Sequence, residues 1–113
     1  MVAKNNLLTA PPYAVEQALK KLGSNLRTAR IRRNMTIENA AERIGTGKRA
    51  VMLAEKGAAS TSTAVYAALL WLYGMLSPVE ELADPAKDKE GLALEASNGR
   101  VRSREKKGLD NDF

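Results

Sequence analysis

The stretch TIENAAERIGTGKRAVMLAEKG, residues 36–57, decides the fold of this chain. Four apolar residues in its first half follow the i, i+3, i+4, i+7 spacing that gives a helix one apolar face. They are Ile37, Ala40, Ala41 and Ile44. Thr36 precedes them as a predicted N-cap, and Gly45 follows them, where a left-handed residue ends a helix. The first half therefore predicts a short helix followed by a tight turn.

A second short helix is predicted after the turn, with Val51 and Ala54 on its apolar side and Gly57 at its end. Lys48 and Arg49 fall in its first turn, where the helix dipole already carries partial positive charge. Two cations at this end indicate an anion or a base edge as their partner, with a solvated surface as the alternative.

The basic charge is concentrated in one half of the chain, which has a net charge of +5. Residues 1–57 carry eleven Lys and Arg against four acids, residues 58–99 carry two against six, and residues 100–113 carry five against three. This asymmetry is expected of a nucleic-acid binder with a separate acidic segment.

The chain of 113 residues contains neither cysteine nor histidine. Disulfides, thiol nucleophiles, Cys/His zinc sites and histidine acid–base catalysis are therefore excluded. No carboxylate pair is suited to catalysis, and the GxGxxA match at residues 45–50 follows a helix instead of the strand that dinucleotide binding requires. We predict no enzyme activity, no catalytic residue, no metal and no cofactor.

The apolar runs indicate neither a secretion signal nor a membrane span. Residues 1–12 lack the run of roughly 7 to 15 apolar residues found in a signal peptide. The longest apolar stretch, residues 64–76, is shorter than the ~20 residues that cross a bilayer. We expect a cytoplasmic protein with no membrane partner.

Further helices are predicted on both sides of the quoted stretch. Residues 13–33 place apolar positions at spacings of four and three, which indicates one long amphipathic helix after a flexible N-terminus of residues 1–12. Helices over residues 63–73 and 78–83 complete an all-α domain of five helices, residues 13–83.

The predicted helix over residues 63–73 is apolar nearly all round. The Ser and Thr run at residues 60–63 is expected to cap it, with phosphorylation as the alternative. A small domain buries one or two faces of such a helix, and the face with Trp71 and Met75 then needs the next short helix or a second subunit. We predict a homodimer with Trp71 and Met75 in its interface.

Residues 84–113 mix charge with few large apolar groups, a composition that does not pack a core by itself. We predict a mostly irregular, partly disordered C-terminal tail. The alternation of Arg100, Arg102 and Arg104 leaves an extended arm along DNA as a second possibility.

The run ENAAERIGTGKRAVMLAEKG resembles the Cro/lambda-repressor, or XRE, family of helix-turn-helix proteins, and the resemblance extends over residues 22–74. The positions that carry it are Ala41, Gly45, Val51 and the run Glu55-Lys56-Gly57. It implies a five-helix lambda-repressor-like fold and a buried ion pair between Arg30 and Glu55.

The same resemblance implies a set of DNA-binding residues. Those facing the major groove would be Lys48, Arg49, Met52 and Leu53, and those near phosphates would be Thr46, Gly47 and Ala50. Arg32 and Arg33, in the last turns of the first helix, are further candidates for phosphate contact. Ile37 stands where the family usually has Gln. Met52 and Leu53 are unusually apolar for this surface, and they would contact thymine methyl groups or a protein partner.

Outside the motif, three segments are similar to the small HipB-like antitoxins that accompany HipA-like serine/threonine kinase toxins. They are PPYAVEQALKKLGSNLRTARIRR, VYAALLWLYGML and LADPAKDKEGLALE. The resemblance implies operator binding as a homodimer, repression of the protein's own operon, and a HipA-like kinase partner, in the bacterial cytoplasm at the nucleoid. The alternatives are a stand-alone XRE-type regulator and a protein-interaction module that uses Met52 and Leu53.

Overall fold

A computed structural model of the chain describes residues 6–106, with the side chains of residues 6–99. Five α-helices follow one another: α1 Tyr13–Arg32, α2 Ile37–Ile44, α3 Lys48–Glu55, α4 Thr63–Leu72 and α5 Lys89–Lys106. Two short 3-10 helices lie at Ser77–Glu81 and Pro85–Lys87. The described part of the chain contains no strand, and the predicted all-α class is confirmed.

The helix α1 forms where the apolar spacing predicted it. It follows Pro12, carries Glu16 in its first turn, and carries Arg30 and Arg32 in its last turn. Acid at the start and base at the end both suit the helix dipole. The buried residues of α1 include Leu26 and Ala29, and its apolar face therefore forms one wall of the core.

The turn between α2 and α3 has the predicted capping. The Thr36 hydroxyl accepts a hydrogen bond from the backbone N–H of Asn39 at 3.0 Å, which satisfies one free donor of the first turn of α2. Gly45 ends α2 with φ at +79°, in the left-handed region that glycine enters without strain. The backbone N–H of Thr46 then donates to the Ala41 carbonyl at 2.9 Å, and α3 begins two residues later.

The core lies between α1 and the next three helices, and small side chains let these helices approach closely. Its buried apolar members are Leu26, Ala29, Ala40, Ala41, Val51, Ala54, Tyr66, Leu69 and Tyr73. One close approach is at Gly23 on α1, where an added Cβ would lie 2.6 Å from the Ala54 carbonyl oxygen. A side chain at Gly23 would therefore push α3 away from α1.

The helix α4 buries Tyr66 and Leu69 and leaves Trp71 exposed. Ser62 caps it by accepting a hydrogen bond from the Val65 N–H at 3.3 Å, as the sequence predicts for this Ser and Thr run. The helix ends at Leu72, and the Met75 N–H returns to the Leu70 carbonyl at 2.7 Å. Met75 therefore lies beyond the helix and does not continue the helical stripe that the sequence suggested.

The region after α4 differs from the prediction in two ways. The short helix expected over residues 78–83 is a 3-10 helix, Ser77–Glu81, and Ala83 stops it with φ at +58°. The tail is more regular than expected, because α5 occupies Lys89–Lys106. Asp88 starts α5 by accepting a hydrogen bond from the Gly91 N–H at 2.9 Å.

The irregular tail was predicted from the small number of large apolar residues, which limits how much surface the segment can bury. Helix formation depends instead on the helix propensity of its residues. The segment contains many good helix formers, and these sustain a helix without a core. Leu92 and Leu94, which are apolar, remain exposed within their own unit. Arg100, Arg102 and Arg104 have helical backbone, so the extended arm is not formed there.

The chain divides into two compact units, one ending at Ser77 and one beginning at Pro78, whereas the sequence suggested a division after residue 83. Within the N-terminal unit, the predicted flexible segment contains a turn in which the Ala10 N–H donates to the Asn6 carbonyl at 2.7 Å. Residues 1–5 and 107–113, also predicted to be flexible, lie outside the described residues. No helix in the described part is long and apolar enough to span a membrane.

Candidate nucleic-acid interface

The first turn of α3 is an exposed, positively charged surface. The side chains of Lys48 and Arg49 are exposed, and this turn contains no acidic residue. Gly47, the N-cap, has no side chain to accept a hydrogen bond, and within the described residues the backbone N–H groups of Lys48 and Arg49 have no acceptor. Two cations, two free donors and the helix dipole all favour an anion at this point.

The packing of α3 decides which of its residues face outward. Val51 and Ala54 are fully buried against the other helices, so the opposite side of α3 is the exposed one. Of the residues predicted to face the major groove, Lys48, Arg49 and Met52 are exposed and Leu53 is half-buried. Of those predicted to lie near phosphates, Thr46 and Ala50 are half-buried and Gly47 is exposed. All seven residues belong to the segment 46–53, and the structure exposes four of them and half-buries the other three.

An ion pair that the sequence did not reveal joins α2 to this surface. Lys48 Nζ lies 3.1 Å from Glu38 Oε2, and both side chains are exposed. A hydrogen bond from its own backbone N–H and the contact with Lys48 lower the pKa of the Glu38 carboxyl. No sequence signal indicated this pair, because the two residues are ten positions apart. In addition, the helix dipole by itself already explains an acid in the first turn of α2.

The buried ion pair implied by the resemblance is present. Arg30 Nε donates to Glu55 Oε2 at 2.6 Å, and Arg30 Nη2 donates to Glu55 Oε1 at 3.0 Å. A third bond from Arg30 Nη1 reaches the Met35 carbonyl at 2.8 Å. The hydrogen bond with Glu55 raises the pKa of Arg30 above its ordinary value. Arg30 therefore ties the end of α3 to α1 and to the loop before α2.

The structure places Arg32 and Arg33 beside the end of α4. Arg33 donates to the Ala29 carbonyl at 2.9 Å and to the Tyr73 carbonyl at 3.0 Å, and its guanidinium lies 5.4 Å from the centre of the Tyr73 ring. Both arginines line a groove that also contains Met75. Arg33 thus has a structural role as a cation at the C-terminus of α4, and no pattern in the sequence indicated this contact.

The predicted dimer residues lie on the exposed side of the N-terminal unit. Trp71 is 60% exposed and Met75 is 40% exposed, whereas their neighbours Leu69 and Tyr73 are buried. Leu82 and Tyr13, at 72% and 75%, are more exposed still, so the exposure of Trp71 agrees with the predicted interface without singling it out.

Two observations on the described residues concern metal and small-ligand binding. Within them, no group of three or more His, Cys, Asp or Glu is arranged to hold a metal ion. A groove between the Gly45 turn and α4 is lined by Ile44, Thr46, Val65 and other small residues, with no charged group among them. It lacks the converging polar groups that orient a small ligand.

Two short helices joined by a left-handed glycine turn, with the N-terminus of the second helix exposed and basic, define a helix-turn-helix protein. The chain belongs to the helix-turn-helix domain family, whose model matches residues 21–83. Comparisons with curated proteins and with solved structures returned no match. The protein is therefore an XRE-like helix-turn-helix protein, of a class of DNA-binding regulators that are typically not enzymes.

Proposed function

We propose that the protein is a sequence-specific DNA-binding repressor that acts as the antitoxin of a HipA-like serine/threonine kinase and represses its own operon. The observation that carries the DNA-binding half of this proposal is the exposed first turn of α3. It combines Lys48, Arg49 and free backbone donors in a chain of the helix-turn-helix family. The antitoxin half depends on the resemblance of the flanking segments.

In the proposed complex α3 enters the major groove. Lys48, Arg49, Met52 and Leu53 face the base edges, and the turn that contains Thr46 and Gly47 approaches the phosphates together with Ala50. A homodimer formed through Trp71 and Met75 then reads two half-sites about one helical turn, ~34 Å, apart. Arg32 is exposed and stays a prediction as a phosphate contact, whereas Arg33 would first have to leave its carbonyl partners.

Arg49 is the residue expected to recognise a guanine. It has no hydrogen-bond or ion-pair partner among the described residues, so its guanidinium is free to donate two bonds to O6 and N7. The Arg49→Ala variant should lose roughly 1 to 3 kcal/mol of preference for the operator over random DNA. Anisotropy titration of a labelled upstream duplex and of a scrambled duplex, at about 150 mM salt, measures this preference.

The matched control for this titration is Arg43→Ala, which removes an exposed arginine from the last turn of α2. It should reduce affinity for both duplexes equally and leave the preference intact. Equal losses on both duplexes for Arg49→Ala would mean that Arg49 contacts phosphates and does not read bases.

The kinase partner is tested separately from DNA binding. Co-expression with the neighbouring open reading frame, followed by affinity purification, should recover a kinase in a stoichiometric complex with this protein. If the protein binds its upstream DNA but no kinase, it is a stand-alone XRE-type regulator. If it shows no preference for its upstream DNA over random DNA, the exposed Met52 supports the reading of a protein-interaction module.

A further inference from the structure

The two cations in the first turn of α3 have different surroundings. Lys48 is paired with Glu38 at 3.1 Å, whereas Arg49, the next residue, has no charged partner among the described residues. Glu38 lies in the first turn of α2, so the contact joins the first turns of the two helices of the motif. The surface proposed to contact DNA therefore contains a carboxylate, that of Glu38, within ion-pair distance of the Lys48 ammonium.

This ion pair contributes little to the stability of the fold. The side chains of Lys48 and Glu38 are 57% and 62% exposed, and pairs of this kind are weakened by water and salt. Its effect on DNA binding is expected to be larger. A carboxylate beside the phosphate backbone is repelled, and it cancels at a distance the positive charge that Lys48 would otherwise offer.

We propose that Glu38 is a specificity-determining residue. It positions Lys48 and cancels its charge, so that the affinity for random DNA is reduced more than the affinity for the operator. The inference rests on the proposed DNA-binding function and assigns a role to a residue outside the predicted set. Lys48 has three N–H donors, so one bond to Glu38 leaves two for a base acceptor.

Non-specific binding is the part of the affinity that Glu38 is expected to control. It depends on how many phosphates the protein's cations neutralise. In a plot of the logarithm of the binding constant against the logarithm of salt concentration, each neutralised phosphate makes the slope more negative by about 0.9. With Glu38 in place, Lys48 contributes little to that number. Removal of the Glu38 charge adds one cation to the count without adding any contact to a base.

The Glu38→Gln variant tests the inference directly. It should bind random DNA more tightly by a factor on the order of 3 to 10 and show a salt dependence steeper by about 0.9. Its affinity for the upstream duplex should rise less, so that the ratio of specific to non-specific affinity falls. A merely structural role would not change the salt dependence, and thermal unfolding of this variant should stay close to that of the wild type.

A double-mutant cycle distinguishes the effect of the Glu38–Lys48 interaction from the individual effects of the two residues. Lys48→Met should change the affinity for random DNA and its salt dependence only slightly while Glu38 is present, because the paired Lys48 contributes little to them. In the Glu38→Gln background the same substitution should remove most of the gain in affinity and of the added salt dependence of about 0.9. Independent effects of the two substitutions on random DNA would overturn the proposed coupling.

Glu42→Gln is the matched control, because Glu42 is an exposed carboxylate of the same helix with no cation at ion-pair distance in the described part of the chain. If Glu38→Gln behaves like Glu42→Gln, or raises affinity for both duplexes by the same factor, Glu38 does not determine specificity. If the wild-type protein itself shows no preference for the upstream duplex, the proposed function fails, and that result is distinguishable from the other two.

Discussion

Charged residues in this molecule have two different environments. Arg30 and Glu55 are buried, with side chains 10% and 6% exposed, and they form two hydrogen bonds with each other. Lys48 and Arg49 are exposed on α3, within reach of a ligand. The buried pair holds α3 in place, and α3 carries the two exposed cations.

The buried pair should be sensitive to the loss of one partner. Glu55→Leu leaves the Arg30 guanidinium buried without a counter-charge, and we expect a loss of about 3 to 5 kcal/mol in the free energy of unfolding. Glu55→Leu combined with Arg30→Met removes both charges and should recover much of this loss. Urea denaturation followed by circular dichroism measures all the values.

An exposed ion pair provides the comparison. Lys20 and Glu16 are 3.9 Å apart on the surface of α1, and Glu16→Gln should cost less than about 1 kcal/mol. Should Glu55→Leu prove as stable as Glu16→Gln, the buried pair would not hold α3 on α1.

The contact between α1 and α3 depends on glycine. Gly23 is buried, and a Cβ there would meet the carbonyl oxygens of Ala54 and Glu55 at 2.6 and 2.7 Å. These are backbone atoms, which cannot rotate away as a flexible side chain does. Alanine is favoured over glycine within a helix by up to about 1 kcal/mol, but the backbone clash at this position is the larger effect.

Gly23→Ala and Gly45→Ala should therefore differ in cost. We expect Gly23→Ala to lose about 3 kcal/mol or more of unfolding free energy, because α1 and α3 must separate. Gly45→Ala should lose only about 1 kcal/mol, since an added Cβ there meets nothing within 4 Å and only the left-handed backbone is strained. Thermal and urea unfolding of the two variants measures the difference. A Gly23→Ala protein that is as stable as Gly45→Ala would show that the helices tolerate a wider spacing.

At the scale of elements, the sequence predicted well what local signals specify. The Thr36 cap, the Gly45 turn and the apolar spacing of α1 each act within a few residues, and all three are confirmed. The sequence did not predict the helix α5, because its segment has too few large apolar residues to form a core. Helix formation and core formation are different requirements, and α5 meets only the first.

For the whole molecule, the exposed face of α4 indicates how a dimer would form. Trp71 is the only tryptophan of the chain, and it reports on its own surroundings. If Trp71 enters a dimer interface, its fluorescence should shift to shorter wavelength as protein concentration rises through the micromolar range. Sedimentation over the same range should show the mass rising from one chain to two.

The Met75→Glu variant should prevent both changes and weaken operator binding, because a charge would have to be buried in the interface. Val15→Glu is the control, since Val15 is 41% exposed on α1 and lies outside the proposed interface. A wild-type protein that stays monomeric, or a Met75→Glu protein that dimerises as well as the wild type, would contradict the proposed interface.

The sequence by itself determined the helices of the motif, their caps and turn, and the basic character of α3. These features follow from residues close together in the chain, whose hydrogen bonds and spacing are local. Through its resemblance to a family it also implied the Arg30–Glu55 pair, which the structure contains.

The tertiary structure alone decided the partners of Arg33 and Glu38. Arg33 donates a hydrogen bond to the carbonyl of Tyr73, forty residues away, and Glu38 forms an ion pair with Lys48 across the turn. Which cation is paired and which is free depends on how helices cross, and the crossing is set by buried contacts such as the one at Gly23. Those contacts join distant parts of the chain, which is why no local pattern predicted them.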